Sequence, residues 1–224
     1  MRLPVRVVIN CAGEGRRLGL GKTKALVSVL GEPLISWHLR MLRDVDDIVV
    51  VAGYQATEVI DTVRAERPDV AFAFNHDYAT TGTAASLARG ARGAAGDVIS
   101  LDGDLLVHPE DFGTFLADGT ACLGVAPRSS SDAWLTSIEQ IDGEPAATGF
   151  HRDGDGMEWT GLARVPGTLV DNAVRTGQAH GHVYEMLTPH LPLPVRQVRT
   201  REIDTSADYD QAVTWLAPIA HHWT

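Results

Sequence analysis

Cysteine is nearly absent: the 224-residue chain has two, Cys11 and Cys122, both inside apolar runs. Two are too few for a disulfide framework or a thiolate zinc site, and each is expected to be a small buried hydrophobe. Long hydrophobic runs are missing as well. No stretch reaches the roughly 20 apolar residues of a membrane span, and the opening MRLPVRVVIN has no long apolar leader core. The expectation is a reduced, cytoplasmic protein with no membrane partner. Positive charge is scarce. A net charge of −10 argues against a general nucleic-acid binder, because no basic face offsets it. The ending AHHWT is too short for a metal tract and reads as a solvated tail.

What is present suits one large α/β domain over residues 1–224. Apolar, β-branched runs (Val5–Cys11, DDIVVVAG, DVAFAFN, DVISLDGD, TACLGVAP) alternate with helical patterns (GEPLISWHLRML, ATEVIDTVRAER, TAASLARGARG, PEDFGTFLAD). That alternation predicts βαβ units and a mostly parallel, Rossmann-like sheet with helices on both faces. After Pro127 the pattern becomes richer in turns. Asp142-Gly143 reads as a hairpin turn, and a small inserted antiparallel lobe is expected. Short helices near 169–176 and 183–187 follow, then one strand, PVRQVRTREID, and a last helix, ADYDQAVTWLA.

The scarce positive charge is concentrated: Arg16, Arg17, Lys22 and Lys24 fall within nine residues of a glycine-rich loop after the first strand. Gly21-Lys22-Thr23 has the ending of a P-loop, but Arg16 stands where its first glycine belongs. Gly13 and Gly15 open a dinucleotide fingerprint, but Leu18 replaces the third glycine. A P-loop kinase and a Rossmann dehydrogenase using Glu32 are therefore the weaker readings. Glycines at 13 and 15 let backbone N–H groups approach an anion closely, and Arg17 and Lys24 add charge.

In an open parallel sheet, ligands gather at the carboxyl ends of the strands. There the sequence places Gly53, Asn75 with the nearby Gly82-Thr83-Ala84, then Asp102-Gly103-Asp104, and late in the chain Glu202-Ile203-Asp204. Carboxylates two residues apart share a face of an extended chain and repel unless a cation sits between them. Oxygen ligands suit magnesium with substrate phosphates. A basic loop facing such pairs describes a magnesium-bound nucleoside triphosphate.

These residues carry a resemblance. CAGEGRRLG…TKALVSVLGEPLISWHLRML, NHDYATTGTAASL, LDGDLLVHPEDF, EWTGLARV and REIDTSADYDQA, in that order, resemble the nucleotidyltransferase superfamily over nearly the whole chain. Within it the chain is most similar to CTP-dependent cytidylyltransferases of small phosphates and phosphonates, such as the phosphocholine enzymes. The resemblance implies that Arg17 and Lys24 are the catalytic pair, Arg17 on the β,γ-phosphates and Lys24 on the α-phosphate. It implies magnesium on Asp104 and Asp204, with Glu202 beside them. Ala12, Gly13, Glu14, Gly15, Arg16, Gly53, Asn75, Gly82, Thr83, Ala84 and Asp102 fall where the family binds nucleotide. Residues 1–127 would hold the nucleotide, and 128–224 the acceptor and the second metal ligand.

The implied reaction joins a nucleotidyl group from CTP to a small phosphate or phosphonate, releasing pyrophosphate. A sugar-1-phosphate or guanylyl-transferring relative is the alternative. Lys22 competes with Lys24 for the lysine role, since Thr23 rather than proline precedes Lys24. Trp134, Glu158 and Trp159 are the acceptor candidates. With Tyr184 the tryptophans could cage a quaternary ammonium, Glu158 could hold an amine, and Arg152 or Arg164 a carboxylate. The oligomeric state stays open, a homodimer included.

Overall fold

The computed structural model describes residues 4–129 and 132–223. In chain order, β1 (Val5–Cys11) leads into a glycine-rich loop and a small hairpin, β2 (Ser28–Val29) and β3 (Glu32–Pro33), before α1 (Leu34–Met41). Then come β4 (Ile48–Ala52), α2 (Ala56–Glu66), β5 (Ala71–Phe74), α3 (Thr83–Ala91), β6 (Asp97–Asp102), β7 (Leu105–Val107), α4 (Pro109–Ala117) and β8 (Cys122–Ala126). The second half holds β9 (Leu135–Ile141), β10 (Glu144–His151), β11 (Met157–Pro166), α5 (Gly167–Arg175), α6 (Val183–Leu187), β12 (Leu193–Gln197), β13 (Thr200–Glu202) and α7 (Ser206–Leu216).

Nine strands make one sheet in the order β5-β4-β1-β6-β11-β8-β12-β10-β9. β1 pairs in parallel with β4 and β6, and β4 with β5, as the alternating pattern requires. Alternate residues of β1 feed two cores. Val7, Ile9 and Cys11 pack with Ile35, Leu39, Val59, Phe112 and Phe115 from α1, α2 and α4. Val8 packs on the other face with Leu87, Val170 and Met186 from α3, α5 and α6. Both cysteines are buried, and burial pushes the Cys122 thiol up to about 12.

One expectation is refined and a second corrected. The antiparallel segment expected after Pro127 is present, and it extends the main sheet, which is therefore mixed. β11 enters the main sheet between β6 and β8, antiparallel to both. Eight of its ten residues are buried, so it is an interior strand despite its turn-rich flanks. Asp142-Gly143 does turn the β9–β10 hairpin, with φ of 53° and 84°, but the hairpin extends the same sheet. Secondly, PVRQVRTREID is not one strand. β12 lies parallel to β8 in the main sheet, while β13 leaves it to pair with β7 in a separate two-stranded sheet. A period-two pattern reads the same whichever sheet its residues join.

The C-terminal tail also differs from expectation. Trp223 is 2% exposed and packs in a third cluster with Trp37, Leu106, Ile203 and Leu216. Its ring is edge-on to Trp37 at 5.9 Å. The tail is part of the core that backs β7 and α7. No helix among the described residues is long and apolar enough to cross a membrane.

Candidate active site

After Cys11 the chain turns through residues 12–15 into a single 3-10 turn, Arg16–Leu18. Gly15 has φ 64°, a region that only glycine enters without strain. A Cβ there would lie 2.9 Å from the Lys22 carbonyl oxygen and 3.0 Å from Lys24 Cγ. Gly15 thus lets the outgoing and returning limbs of the loop touch. The returning limb is anchored by buried Thr23, whose N–H donates to Gln55 Oε1 at 2.8 Å and whose hydroxyl donates to the Cys11 carbonyl at 3.3 Å. This geometry separates the two lysines. Lys22 is exposed, whereas Lys24, two residues past it, lines the cleft.

Opposite the loop, β6 ends at Asp102, and Gly103-Asp104 turns into β7. β13 runs antiparallel to β7, with Glu202 facing Leu105, and the Ile203 N–H donates to the Asp104 carbonyl at 3.1 Å. The next residues cap α7. The Thr205 hydroxyl accepts from the Asp208 N–H at 3.3 Å, and the Asp208 carboxylate accepts from the Thr205 N–H at 2.9 Å. Such a capping box fixes the entry of a helix, and here it fixes Asp204, the residue before it. The small sheet and the cap together bring oxygens of Asp104, Glu202 and Asp204 within 4.8 Å of one another.

Cations answer these carboxylates. The Lys24 ammonium donates to Asp104 Oδ2 at 2.6 Å and also to Asp204 Oδ1, and Arg17 Nη2 lies 2.7 Å from Asp204 Oδ2. Burial works against the Lys24 charge, but Asp104 and Asp204 outweigh it and hold the ammonium above its usual range. The Glu202 carboxyl is pushed up to about 9, first by the protein around it and then by Asp104 and Asp204, although part of its surface meets water. Burial, then the Asp104 charge, lifts Asp102 to about 7, against the pull of Asn10 Nδ2, which donates to it at 3.0 Å. Gly161, at φ 82°, makes room for that carboxyl; a Cβ there would stand 2.6 Å from Asp102 Oδ2. An all-oxygen set at this spacing, already drawing an ammonium into itself, suits a hard divalent cation.

The cleft, about 950 Å³, runs from this centre to an aromatic wall. Tyr184 lies against Trp134 with centroids 4.2 Å apart, and the Arg152 guanidinium sits 4.4 Å from the Trp134 centroid. Phe150 is edge-on to Trp159 at 5.6 Å. Glu158 is buried, and its Oε2 accepts from the Ser129 N–H at 2.7 Å and the Ser129 hydroxyl at 3.0 Å.

The model of the MobA-like NTP transferase domain matches residues 7–159, from β1 into β11. The chain belongs to this family. It is 26% identical over 172 residues to the bifunctional protein GlmU of Kineococcus radiotolerans, covering 62% of this chain and 35% of that protein. The chain thus spans about a third of the length of that curated relative. Among solved structures it resembles the CTP:phosphocholine cytidylyltransferase LicC of Streptococcus pneumoniae (TM-score 0.73, 22% identity, 96% of this chain and 100% of that one). It also resembles the inositol-1-phosphate CTP transferase of T. maritima (TM-score 0.78, 16% identity, 94% and 95%). The α/β nucleotidyltransferase fold expected from the motifs is the one observed.

Of the residues expected at the site, Gly13, Gly15, Arg16, Arg17, Lys24, Thr83, Asp102, Asp104, Trp134, Glu158, Trp159, Glu202 and Asp204 line the cleft. Others do not reach it. Asn75 is spent within its own turn: its amide donates to Thr81 and Ser86, each at 3.1 Å, and its carbonyl accepts from the Asp77 N–H. Gly53 sits where a Cβ would meet the Ala12 carbonyl at 2.7 Å, a packing reason for glycine. Ala12 and Ala84 are core residues. The Gly82 N–H donates to the His180 carbonyl at 2.8 Å. Glu14 pairs with Arg16 and lines a neighbouring hollow. Glu32, the acid a dehydrogenase would use, pairs with Arg40 at 3.0 Å. Arg164 is buried on Asp97 at 2.9 Å, away from the cleft. Reading the sequence missed Asn10, Ser129, Asp132, Gly161 and His182 as lining residues. For Asn10 a signal existed, a polar residue near the end of a buried strand.

Proposed function

We propose that this chain transfers a nucleotidyl group from a nucleoside triphosphate, CTP in our reading, to a small phosphate or phosphonate, releasing pyrophosphate. The observation that carries the proposal is one cleft in which Arg17 and Lys24 of a glycine-shaped loop face Asp104, Glu202 and Asp204. The loop backbone and Arg17 would hold the β,γ-phosphates, and Lys24 the α-phosphate. An acceptor oxygen forms its bond to the α-phosphorus while the bond to the bridging oxygen breaks, and pyrophosphate leaves with that electron pair. A phosphate monoester, with its second pKa near about 6, is already largely ionised at neutral pH, so no general base is needed. Catalysis is then positioning and charge stabilisation. This fits a cleft with Arg17, Lys24, Asp104, Glu202 and Asp204 at one end.

Asp104, Asp204 and Glu202 would hold magnesium, which supplies charge neutralisation for the triphosphate. Residues 1–127 would then serve chiefly the nucleotide and 128–224 the acceptor. A sugar-1-phosphate acceptor is the second reading, favoured by a cleft near the upper end of the size of small-ligand sites. The test is a matrix of CTP, UTP, ATP and GTP against phosphocholine, alkylphosphonates and sugar 1-phosphates, read as magnesium-dependent pyrophosphate release. CTP should lead. Turnover confined to ATP or GTP would overturn the base assignment, and none with any pair would overturn transfer.

A further inference from the structure

The aromatic wall could in principle greet a quaternary ammonium, an amine or an anion, and the observed contacts are unequal among the three. Trp134 has Tyr184 against it at 4.2 Å and the Arg152 guanidinium at 4.4 Å, so a cation already sits where a methylated ammonium would need the ring. Glu158 is buried, with its carboxylate engaged by Ser129, which leaves it poorly placed to draw in an amine. Arg152 is different. It lines the cleft, its side chain is 43% exposed, and stacking on Trp134 orients its planar fork.

Its partner is Asp132. Arg152 Nη1 donates to Asp132 Oδ1 at 2.6 Å, and Arg17 Nη1 lies 3.7 Å from the other oxygen of the same carboxylate. One carboxylate therefore spans the loop arginine and the wall arginine, and it does so at 72% exposure. Exposed pairs of this kind contribute little stability, so a ligand carboxylate able to grip the guanidinium bidentately can replace it.

Resting on the transfer reading above, we infer that Arg152 is an acceptor-specificity residue and that the acceptor is a short phosphate or phosphonate bearing a carboxylate at its far end. The acceptor is short because one guanidinium, that of Arg17, reaches from Asp132 at 3.7 Å to Asp204 at 2.7 Å, and Asp204 is the carboxylate that Lys24 also holds. The carboxylate displaces Asp132, and the phosphorus-bearing end points toward Lys24.

The test uses three probes of matched length: 2-carboxyethylphosphonate, its neutral amide and its trimethylammonium counterpart. Each is titrated calorimetrically into the full chain and then assayed with CTP and magnesium for pyrophosphate release. The carboxylate should bind about tenfold to a hundredfold more tightly than the amide, as expected for a hydrogen bond to a charged group. Arg152→Gln should collapse that ratio to about one, through the acceptor KM and with the melting temperature retained, and Arg152→Lys should keep part of it. Asp132→Asn should tighten carboxylate binding by removing the charged competitor, while the Asp132 backbone carbonyl, which also accepts from Arg152 Nη1 at 2.5 Å, stays in place. Equal binding of carboxylate and amide, a preference for the trimethylammonium probe, a ratio that survives Arg152→Gln, or weaker binding by Asp132→Asn would each overturn the inference. Carboxylate-selective binding with no pyrophosphate released from any pair would instead overturn the transfer reading and leave Arg152 as the anion reader.

Discussion

Lys24 lies between Asp104 and Asp204 and donates to both carboxylates, to Asp104 Oδ2 at 2.6 Å and to Asp204 Oδ1. An ammonium in that place neutralises the acids that we assign to magnesium. The same ammonium is also our α-phosphate ligand, so it has two partners to exchange. Lys24→Met should therefore do two opposite things. Transfer should fall by about 10²–10³, the usual cost of losing one charge stabiliser of a transition state. Magnesium affinity without nucleotide should rise, because the competing cation is gone. Calorimetric titration with magnesium chloride checks the second arm; weaker magnesium binding by Lys24→Met would show that the lysine helps to build the metal site rather than competing for it.

Arg17 and Lys22, two basic residues of the same loop, should separate cleanly. Arg17 reaches Asp204 at 2.7 Å and Lys24 lies among the acids, whereas Lys22 is exposed. Arg17→Ala is expected to slow transfer by about 10²-fold or more, and Lys22→Ala by much less. A larger loss for Lys22→Ala in steady-state pyrophosphate release would return weight to the Gly21-Lys22-Thr23 motif as a phosphate loop.

Much of this arrangement is legible in the sequence because it depends on local chemistry. The β-branched runs, the glycines at 13 and 15 and the paired acids at 102/104 and 202/204 each announce themselves within a few residues. What is not legible depends on which elements meet. Nothing within PVRQVRTREID says that the chain leaves one sheet for another after Gln197, yet that switch sets Glu202 and Asp204 beside Asp104. Likewise Asn75 looks like a ligand residue at a strand end, and only the folded turn shows its amide fully engaged. Arg152 and Asp132, twenty residues apart, have no motif to join them; the β9–β10 hairpin does so.

The tail offers a stability test. Trp223 is 2% exposed and meets Trp37, Trp215 and His108 edge-on or nearly so, at 5.9, 6.1 and 5.9 Å. Removing a buried tryptophan side chain typically costs about 3–5 kcal/mol. Trp223→Ala should lower the denaturation midpoint by a corresponding amount, toward the smaller figure because a chain end can relax around the gap. Since the same cluster contains Leu106 and Ile203, which flank the acids on β7 and beyond β13, magnesium-dependent turnover should fall as well. An unchanged urea midpoint would mean that the tail docks without stabilising the fold.

The two tryptophans of the wall should fail in different ways. Trp159 is 9% exposed. It belongs to the core that covers α3, α5 and α6, and its main-chain N–H donates to the Trp134 main-chain carbonyl at 2.7 Å. Trp159→Ala opens a cavity under the sheet and should cost about 3–5 kcal/mol, so affinity for nucleotide and acceptor should decline together with the fold. Trp134 stands further out, half-buried, with its ring against Tyr184 and Arg152. Trp134→Leu keeps an apolar side chain there but removes the surface that orients the Arg152 guanidinium, a contact worth roughly 0.5–1 kcal/mol at an exposed site. That corresponds to an acceptor KM raised by about two- to fivefold, with the KM for the nucleotide and the melting temperature nearly unchanged. Steady-state kinetics with both substrates varied, alongside thermal denaturation of the two variants, separates these outcomes. If Trp134→Leu raises both KM values equally, the wall shapes the whole cleft rather than the acceptor end.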